Sequence, residues 1–425
     1  MGGMQLFSQI YLIPFFCLAI LWSFTTFAQV LNYARKKSMA PTLYYFNPDH
    51  DMAMANFTPY YKAPAEIRRM AADLSVLPAW YAGKGDWVKV DELKRIEAWE
   101  SPLYPEAVSW TESWLSMPCM PWGWNPALTH SLKEVVSSEY LPDEDRLHQL
   151  RYLAGRQRCA EVLREFSGNP FTCGEATVCT SVDSVRDFLK NQPDALLKSP
   201  WSGSGRGLMH VSPSTWNASV EGWISRIIRT QGAVMAEPFY AKVTDFAMEF
   251  HIDEEGRIRF AGYSLFETDD FGNYKANLLR SNEEIEQRIA AYIPVNFLHK
   301  VREKLTGILA SLLQTYYVGY FGVDMMVCAD GGSYKLHPCV EINLRMNMGV
   351  VSRILFDRYI ASGSHGRYVT EHYYTDGEAL DFHRSMSQQT PAQLHGNQIV
   401  SGYLSLTPVR YDTRFQAYIQ VEENS

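Results

Sequence analysis

Cysteine is scarce and unpatterned in this chain. Seven occur in 425 residues, an odd number, and the nearest pair, Cys173 and Cys179, lacks metal-ligand spacing. No thiolate metal site is readable, and free thiols in a reducing compartment are expected. Cys119, Cys328 and Cys339 are expected as small buried hydrophobes. A basic stripe is missing too: 39 Lys and Arg against 47 Asp and Glu give a net charge of −8, which argues against nucleic acid as a partner. There is no internal repeat and no low-complexity tract, so repeat architectures are excluded. No Gly-Lys-Ser/Thr closes a phosphate loop, and no three-glycine fingerprint opens a helix. What is present is ordinary globular composition, 46% hydrophobic and 20% charged, in a chain long enough for two or three domains.

One stretch concentrates the chemistry. Residues 196–208 read Leu-Leu-Lys-Ser-Pro-Trp-Ser-Gly-Ser-Gly-Arg-Gly-Leu. An apolar run delivers Lys198, and Ser202, Gly203, Ser204, Gly205 and Gly207 surround Arg206. Glycines let backbone N–H groups close on an anion, lysine adds a compact charge and arginine a planar fork. Met209-His210-Val211 reads as a returning strand, so strand, glycine loop and strand form a lid over phosphates. Taken alone, an ordinary hairpin turn fits equally well.

A second stretch lies at 321–349. Strands at 322–328 and 334–343 flank the turn Asp330-Gly331-Gly332. Strand alternation puts Glu341, Asn343 and Arg345 on one face, and Asp324 on the partner strand reaches that face. Two carboxylates and an amide oxygen make a hard donor set suited to Mg2+. The competing interpretation is a polar outer face with a Glu341–Arg345 salt bridge.

Together the two stretches resemble the ATP-grasp superfamily over residues 130–360, with the hinge strand Val234-Met235-Ala236-Glu237-Pro238-Phe239-Tyr240 between them. The resemblance implies an α/β and α+β architecture: an ATP-grasp fold of two α+β subdomains enclosing ATP, preceded by a small α/β domain. It implies that backbone around Glu237, Phe239 and Tyr240 reads adenine and that Asp245 holds the ribose. Lys198 would contact the α/β-phosphates, and the 202–207 loop would cover the β/γ-phosphates. Asp324, Glu341 and Asn343 would hold Mg2+, while Lys198, Arg206 and Arg345 offset charge on the transferring phosphoryl group. Pro238 departs from the pattern by removing one N–H donor. The implied activity is ATP-dependent joining of a carboxylate to an amine or thiol through an acyl phosphate. A small-molecule kinase and a non-catalytic nucleotide-binding module remain as alternatives.

The other segments are organised around this. Residues 1–38 contain an apolar run, 10–28, with no positive charge before it and Arg35, Lys36 and Lys37 after it. That pattern reads as a membrane anchor leaving the catalytic domain in the cytoplasm at the inner membrane. Cleavage near Ala28, or a true start at Met39, are the alternatives. Residues 40–125 read as a small α/β domain whose first strand, 42–46, enters the loop Asn47-Pro48-Asp49-His50-Asp51. Asp49, His50 and Asp51 are candidate substrate contacts, against a simple turn and capping role. Residues 131–166 read as helical, with most of their arginines solvated. The 269–277 segment reads as a polar, glycine-containing loop offering Tyr274, Lys275 and Asn277 to substrate, against a plain surface loop. In the tail, 361–425, strands at 398–406 and 415–421 close the domain. The oligomeric state is not legible.

Overall fold

A computed structural model describes residues 41–105, 108–203, 207–268, 274–313 and 316–423. The architecture below is that of the compact unit Leu43–Ser425. The apolar run 10–28 lies outside the described residues, among which no helix is long and apolar enough to cross a membrane.

Strands β1 (Leu43–Tyr45), β2 (Trp87–Lys89), β3 (Ser109–Thr111) and β4 (Cys119–Pro121) form a parallel sheet in the order β3-β2-β1-β4. Helices α1 (His50–Asn56) and α2 (Ala65–Asp73) follow β1. Parallel strands need crossover connections, which leaves the strand ends free to carry loops. The loop after β1 is pinned by Asn47, whose Nδ2 donates to the Gly123 carbonyl at 2.8 Å while the Gly123 N–H donates back at 3.3 Å. Tryptophans here serve packing: Trp122 meets Phe46 edge-on at 5.0 Å.

The arginine-rich stretch is helical but broken, with α3 (Gln157–Arg164) its last piece. Then come β5 (Thr177–Cys179), α4 (Val182–Asn191), β6 (Ala195–Lys198), β7 (Leu208–Val211), α5 (Ala218–Gln231) and β8 (Val234–Pro238). These strands make an antiparallel sheet, β5-β8-β6-β7. Alternation decides its faces. Ala195, Leu197, Val211, Val234 and Ala236 pack on Val185 and Ile224 of the two helices. Lys198 and Glu237 therefore project from the other face. Asn217 caps α5 by accepting from the Ser219 and Val220 N–H groups.

The third sheet is antiparallel. Its members are β9 (Ala241–Ile252), β10 (Ile258–Thr268), β11 (Tyr274–Leu279), β12 (Gly319–Asp330), β13 (Ser333–Asn343), β14 (Ser364–His372), β15 (Gln393–His395), β16 (Gln398–Ser405) and β17 (Phe415–Glu423). Their order is β13-β12-β9-β10-β11-β14-β17-β16-β15. Phe246, Met248 and Phe250 of β9 and Phe321, Val323 and Met325 of β12 pack on α6 (Val295–Leu313) through Leu298, Val301 and Leu305. The opposite face carries Asp245, Glu249 and Asp324, and α7 (Met348–Tyr359) lies across part of it.

Two expectations are corrected. The segment read as a loop around 274–279 is strand β11, paired with β10 and β14. The tail contributes β14 and β15 and a helix, Glu378–Gln389, besides the two expected strands. The missed strands β11 and β14 interleave polar with apolar residues and are fixed by pairing with their cross-strand neighbours.

Helix α7 approaches the sheet closely because Gly349 has no side chain: a Cβ there would lie 2.1 Å from Glu249 Oε1 and 2.4 Å from Ser264 Oγ. Gly349→Ala gains helix propensity worth at most about 1 kcal/mol, but overpacking costs about 1–3 kcal/mol. A lower urea midpoint is expected, and an unchanged or higher midpoint would refute this contact.

Candidate functional site

Lys198 ends β6, opposite Met235 of β8 and Leu208 of β7. Its ammonium is buried and 2.5 Å from Glu237 Oε2, the diagonal neighbour on the same face. Immediately beyond it the Ser199 N–H donates to the Gly207 carbonyl at 2.8 Å, closing the loop at its neck. Ser202, Gly203 and Gly207 are described, whereas the candidates Ser204, Gly205 and Arg206 lie outside the described residues.

The loop is held by one arginine of the 131–166 stretch, whose arginines are expected mostly on solvated helix surface. Arg156, just before α3, is buried. Its Nη1 donates to the Ser199 carbonyl at 2.7 Å and to Ser202 Oγ at 2.6 Å, and its Nη2 to the Ser202 carbonyl at 3.2 Å. The same Nη2 donates to Glu341 Oε2 at 2.8 Å. One guanidinium thus joins the glycine loop to the carboxylate hairpin, and both open on one cleft. Nothing in the sequence separates Arg156 from Arg151, Arg158 and Arg164 around it.

On the hairpin, Asp324 of β12 stands opposite Glu341 of β13 and Ala247 of β9, so both carboxylates share a face. Burial pushes the Asp324 carboxyl well above the usual range, reinforced by Glu341 and Glu249; a hydrogen bond from Asn343 and the charge of Arg345 oppose this. Among the described residues no three His, Cys, Asp or Glu side chains come together as a metal cluster. The set is two carboxylates and an amide, and facing carboxylates with too little compensating charge suit a hard divalent cation that takes its other ligands from phosphate and water.

Arg345 makes a two-pronged pair with Asp51, Nε to Oδ1 at 2.8 Å and Nη2 to Oδ2 at 2.7 Å, and Nη2 also donates to Asn343 Oδ1 at 3.0 Å. Burial would raise the Asp51 carboxyl, but the Arg345 guanidinium outweighs it and holds the group below the usual range. Gly203 packs on this pair: a Cβ would sit 2.3 Å from Asp51 Oδ2. His50, Asp51, Trp201, Ser202, Glu341 and Arg345 line a small cavity where the elements converge. His50 is brought to the site, with burial lowering its pKa to about 4. Asp49 is not a wall of that cavity, and its carboxyl makes no cap bond to α1.

At the hinge, Phe239 is 48% exposed and its ring lies 4.1 Å from that of His210, while its N–H donates to the Asp194 carbonyl. The Tyr240 hydroxyl accepts from the Gly174 and Glu175 N–H groups at 3.2 and 2.9 Å. Asp245 pairs with Lys242 at 2.6 Å. His337, which no motif flagged, is fully buried beside Tyr240, and burial together with the Lys198 charge lowers its pKa to about 3.

The remaining substrate candidates divide. The Tyr274 hydroxyl donates to Asn277 Oδ1 at 2.6 Å, and Asn277 is buried on the sheet face that carries Ser264 and Glu249. Lys275 is the bulged residue between Tyr274 and Ala276; it is exposed and meets none of the site residues described above.

Glu249 is a second residue missed. Burial raises its carboxyl to about 7, although Asn347 Nδ2 donates to it at 3.0 Å and Ser264 Oγ at 2.7 Å. Because the folded-state pKa is raised, the proton is held more tightly in the folded chain. Stability is therefore lost as pH rises from ~4.5 to about 7, by up to roughly 3 kcal/mol. Glu249→Gln keeps both partners if the Ser264 hydroxyl turns to accept. Its urea midpoint is expected to match the wild type near pH 4.5 and exceed it at pH 8; a difference independent of pH would refute the assignment.

No family model matches the chain, and no curated protein does. Among solved structures the chain is similar to a biotin carboxylase–β,γ-ATP complex from Campylobacter jejuni, at 10% identity over 92% of this chain and 89% of that one, with a TM-score of 0.49. It is similar to N5-carboxyaminoimidazole synthetase from Staphylococcus aureus complexed with ADP, at 12% identity over 91% and 93%, TM-score 0.45. An L-amino acid ligase from Bacillus licheniformis gives 10% identity over 91% and 94%, TM-score 0.46.

Proposed function

We propose that the chain is an ATP- and Mg2+-dependent ligase that activates a carboxylate as an acyl phosphate and joins it to an amine or thiol. The observation carrying this reading is Arg156, whose buried guanidinium bonds the glycine loop and Glu341 at once, so that a cationic flap and an oxygen-rich hairpin face the same space. In this reading the parallel sheet at 40–125 forms the substrate side, 130–360 the nucleotide domain, and the catalytic part works where ATP is, in the cytoplasm.

Lys198 and the glycine loop, whose sequence includes Arg206, orient the phosphates, and Asp245 serves the ribose. Mg2+, held by Asp324, Glu341 and Asn343, would supply charge neutralisation for the phosphates. A substrate carboxylate oxygen attacks the γ-phosphorus, the bond to the β-phosphate oxygen breaks, and ADP leaves. The amine or thiol then attacks the acyl carbon, phosphate departs, and the nucleophile loses its proton. Arg345 suits the acyl phosphate, because the fork that holds Asp51 also fits a carboxylate or phosphate. No side-chain nucleophile is needed; alignment and charge cancellation carry the rate. Tyr274, Asn277 and His50 stand on the acceptor side.

The decisive substitution is Glu341→Gln, which keeps a bond partner for the buried Arg156 where alanine would strand its charge. A folded variant with at least about a hundredfold slower ADP release across a carboxylate panel is expected, from the size of transition-state charge effects. Unchanged turnover would end the metal assignment. Hydroxylamine added to the wild type should trap a hydroxamate; a stable phosphorylated product without it would move the reading to a kinase.

A further inference from the structure

The hinge is poor in donors for a base. Pro238 has no N–H, and the Phe239 N–H is taken by the Asp194 carbonyl at 2.9 Å. Of these hinge positions, Tyr240 alone keeps an N–H that neither constraint removes. His337 stands next to it, its ring edge-on to that of Tyr240 at 5.5 Å.

Register fixes where His337 points. It is paired with Met326, which shares its face with Asp324 two residues earlier, so the imidazole projects from the face that carries Asp324 and Glu341. It is fully buried, and neither Nδ1 nor Nε2 has a hydrogen-bond partner among the described residues. Gly174 leaves it room: its φ is +112° and a Cβ there would come within 2.9 Å of Nε2. The neighbouring Lys198 charge and burial keep the ring neutral, with one donor and one acceptor. A core position that asked only for volume would be filled by an apolar side chain, since each unpaired buried nitrogen costs stability.

We propose that His337 is a base-recognition residue, whose imidazole hydrogen-bonds the ring edge of a purine nucleotide seated between the hinge and Lys198. This rests on the nucleotide site proposed above, and it makes good the donor that Pro238 cannot supply. One of the two orphaned ring nitrogens is thereby paired, and only when nucleotide is bound.

The test compares His337→Leu with the full-length wild type by calorimetric binding of ATP, CTP and tripolyphosphate, none of which requires turnover. His337→Leu is expected to weaken ATP about tenfold, the size of one lost hydrogen bond, and to leave CTP and tripolyphosphate unchanged. Its melting temperature without nucleotide should equal or exceed that of the wild type, because an unpaired polar group has been removed. His337→Gln, which restores a donor and an acceptor, should recover part of the ATP affinity. Equal ATP binding by wild type and His337→Leu would overturn the proposal, as would equal weakening of all three ligands, or a several-degree melting loss that glutamine does not redress in binding. A wild type that binds no ATP would overturn the nucleotide site itself.

Discussion

A buried guanidinium holds the site together. Arg156 bonds two backbone carbonyls and a hydroxyl of the glycine loop and a carboxylate of the hairpin, across a sequence separation of 185 residues. Arginine is suited to this because its planar fork distributes several donors in fixed directions and remains charged when desolvated. Removing it would leave Glu341 facing Asp324 with less opposing charge and would free the loop's neck. The cleft therefore exists as one space because a single charge serves both walls.

Charge in this cleft is arranged in excess of what folding asks. Buried ion pairs such as Lys198–Glu237 repay their desolvation poorly and break about even against apolar packing. Asp324 and Glu249 go further, with burial and neighbouring carboxylates raising the first and burial raising the second against its hydrogen bonds. Such an arrangement weakens the free protein and makes sense when a cationic ligand arrives to complete it. The apolar faces of the same strands, packed on α6, supply the stability that this polar face gives up.

What could be read from the sequence is what lies close in the sequence. Lys198, its glycine loop, and the Glu341-Asn343 alternation are local patterns, and the register sets Asp324 opposite Glu341 as the hairpin required. The roles of Arg156, Glu249 and the Asp51–Arg345 pair are not legible locally, because each has a partner 98 to 294 residues away and its own surroundings look like ordinary helix or strand. Lys275 looked equivalent to Tyr274 and Asn277 until a bulge turned it outward. Strands β11 and β14 were hidden by polar residues that cross-strand pairing accommodates.

The pairing of Asp51 with Arg345 ties substrate chemistry to architecture. Asp51 belongs to the first turn of α1, so the parallel sheet places a carboxylate in the fork of an arginine from the other side of the cleft. The Arg345 fork is thus occupied by Asp51, and Gly203 of the glycine loop rests on the same carboxylate. Arg156 ties that loop to Glu341 as well, so the loop rests on the Asp51–Arg345 pair at one point and is bonded through a guanidinium to the hairpin carboxylate at another.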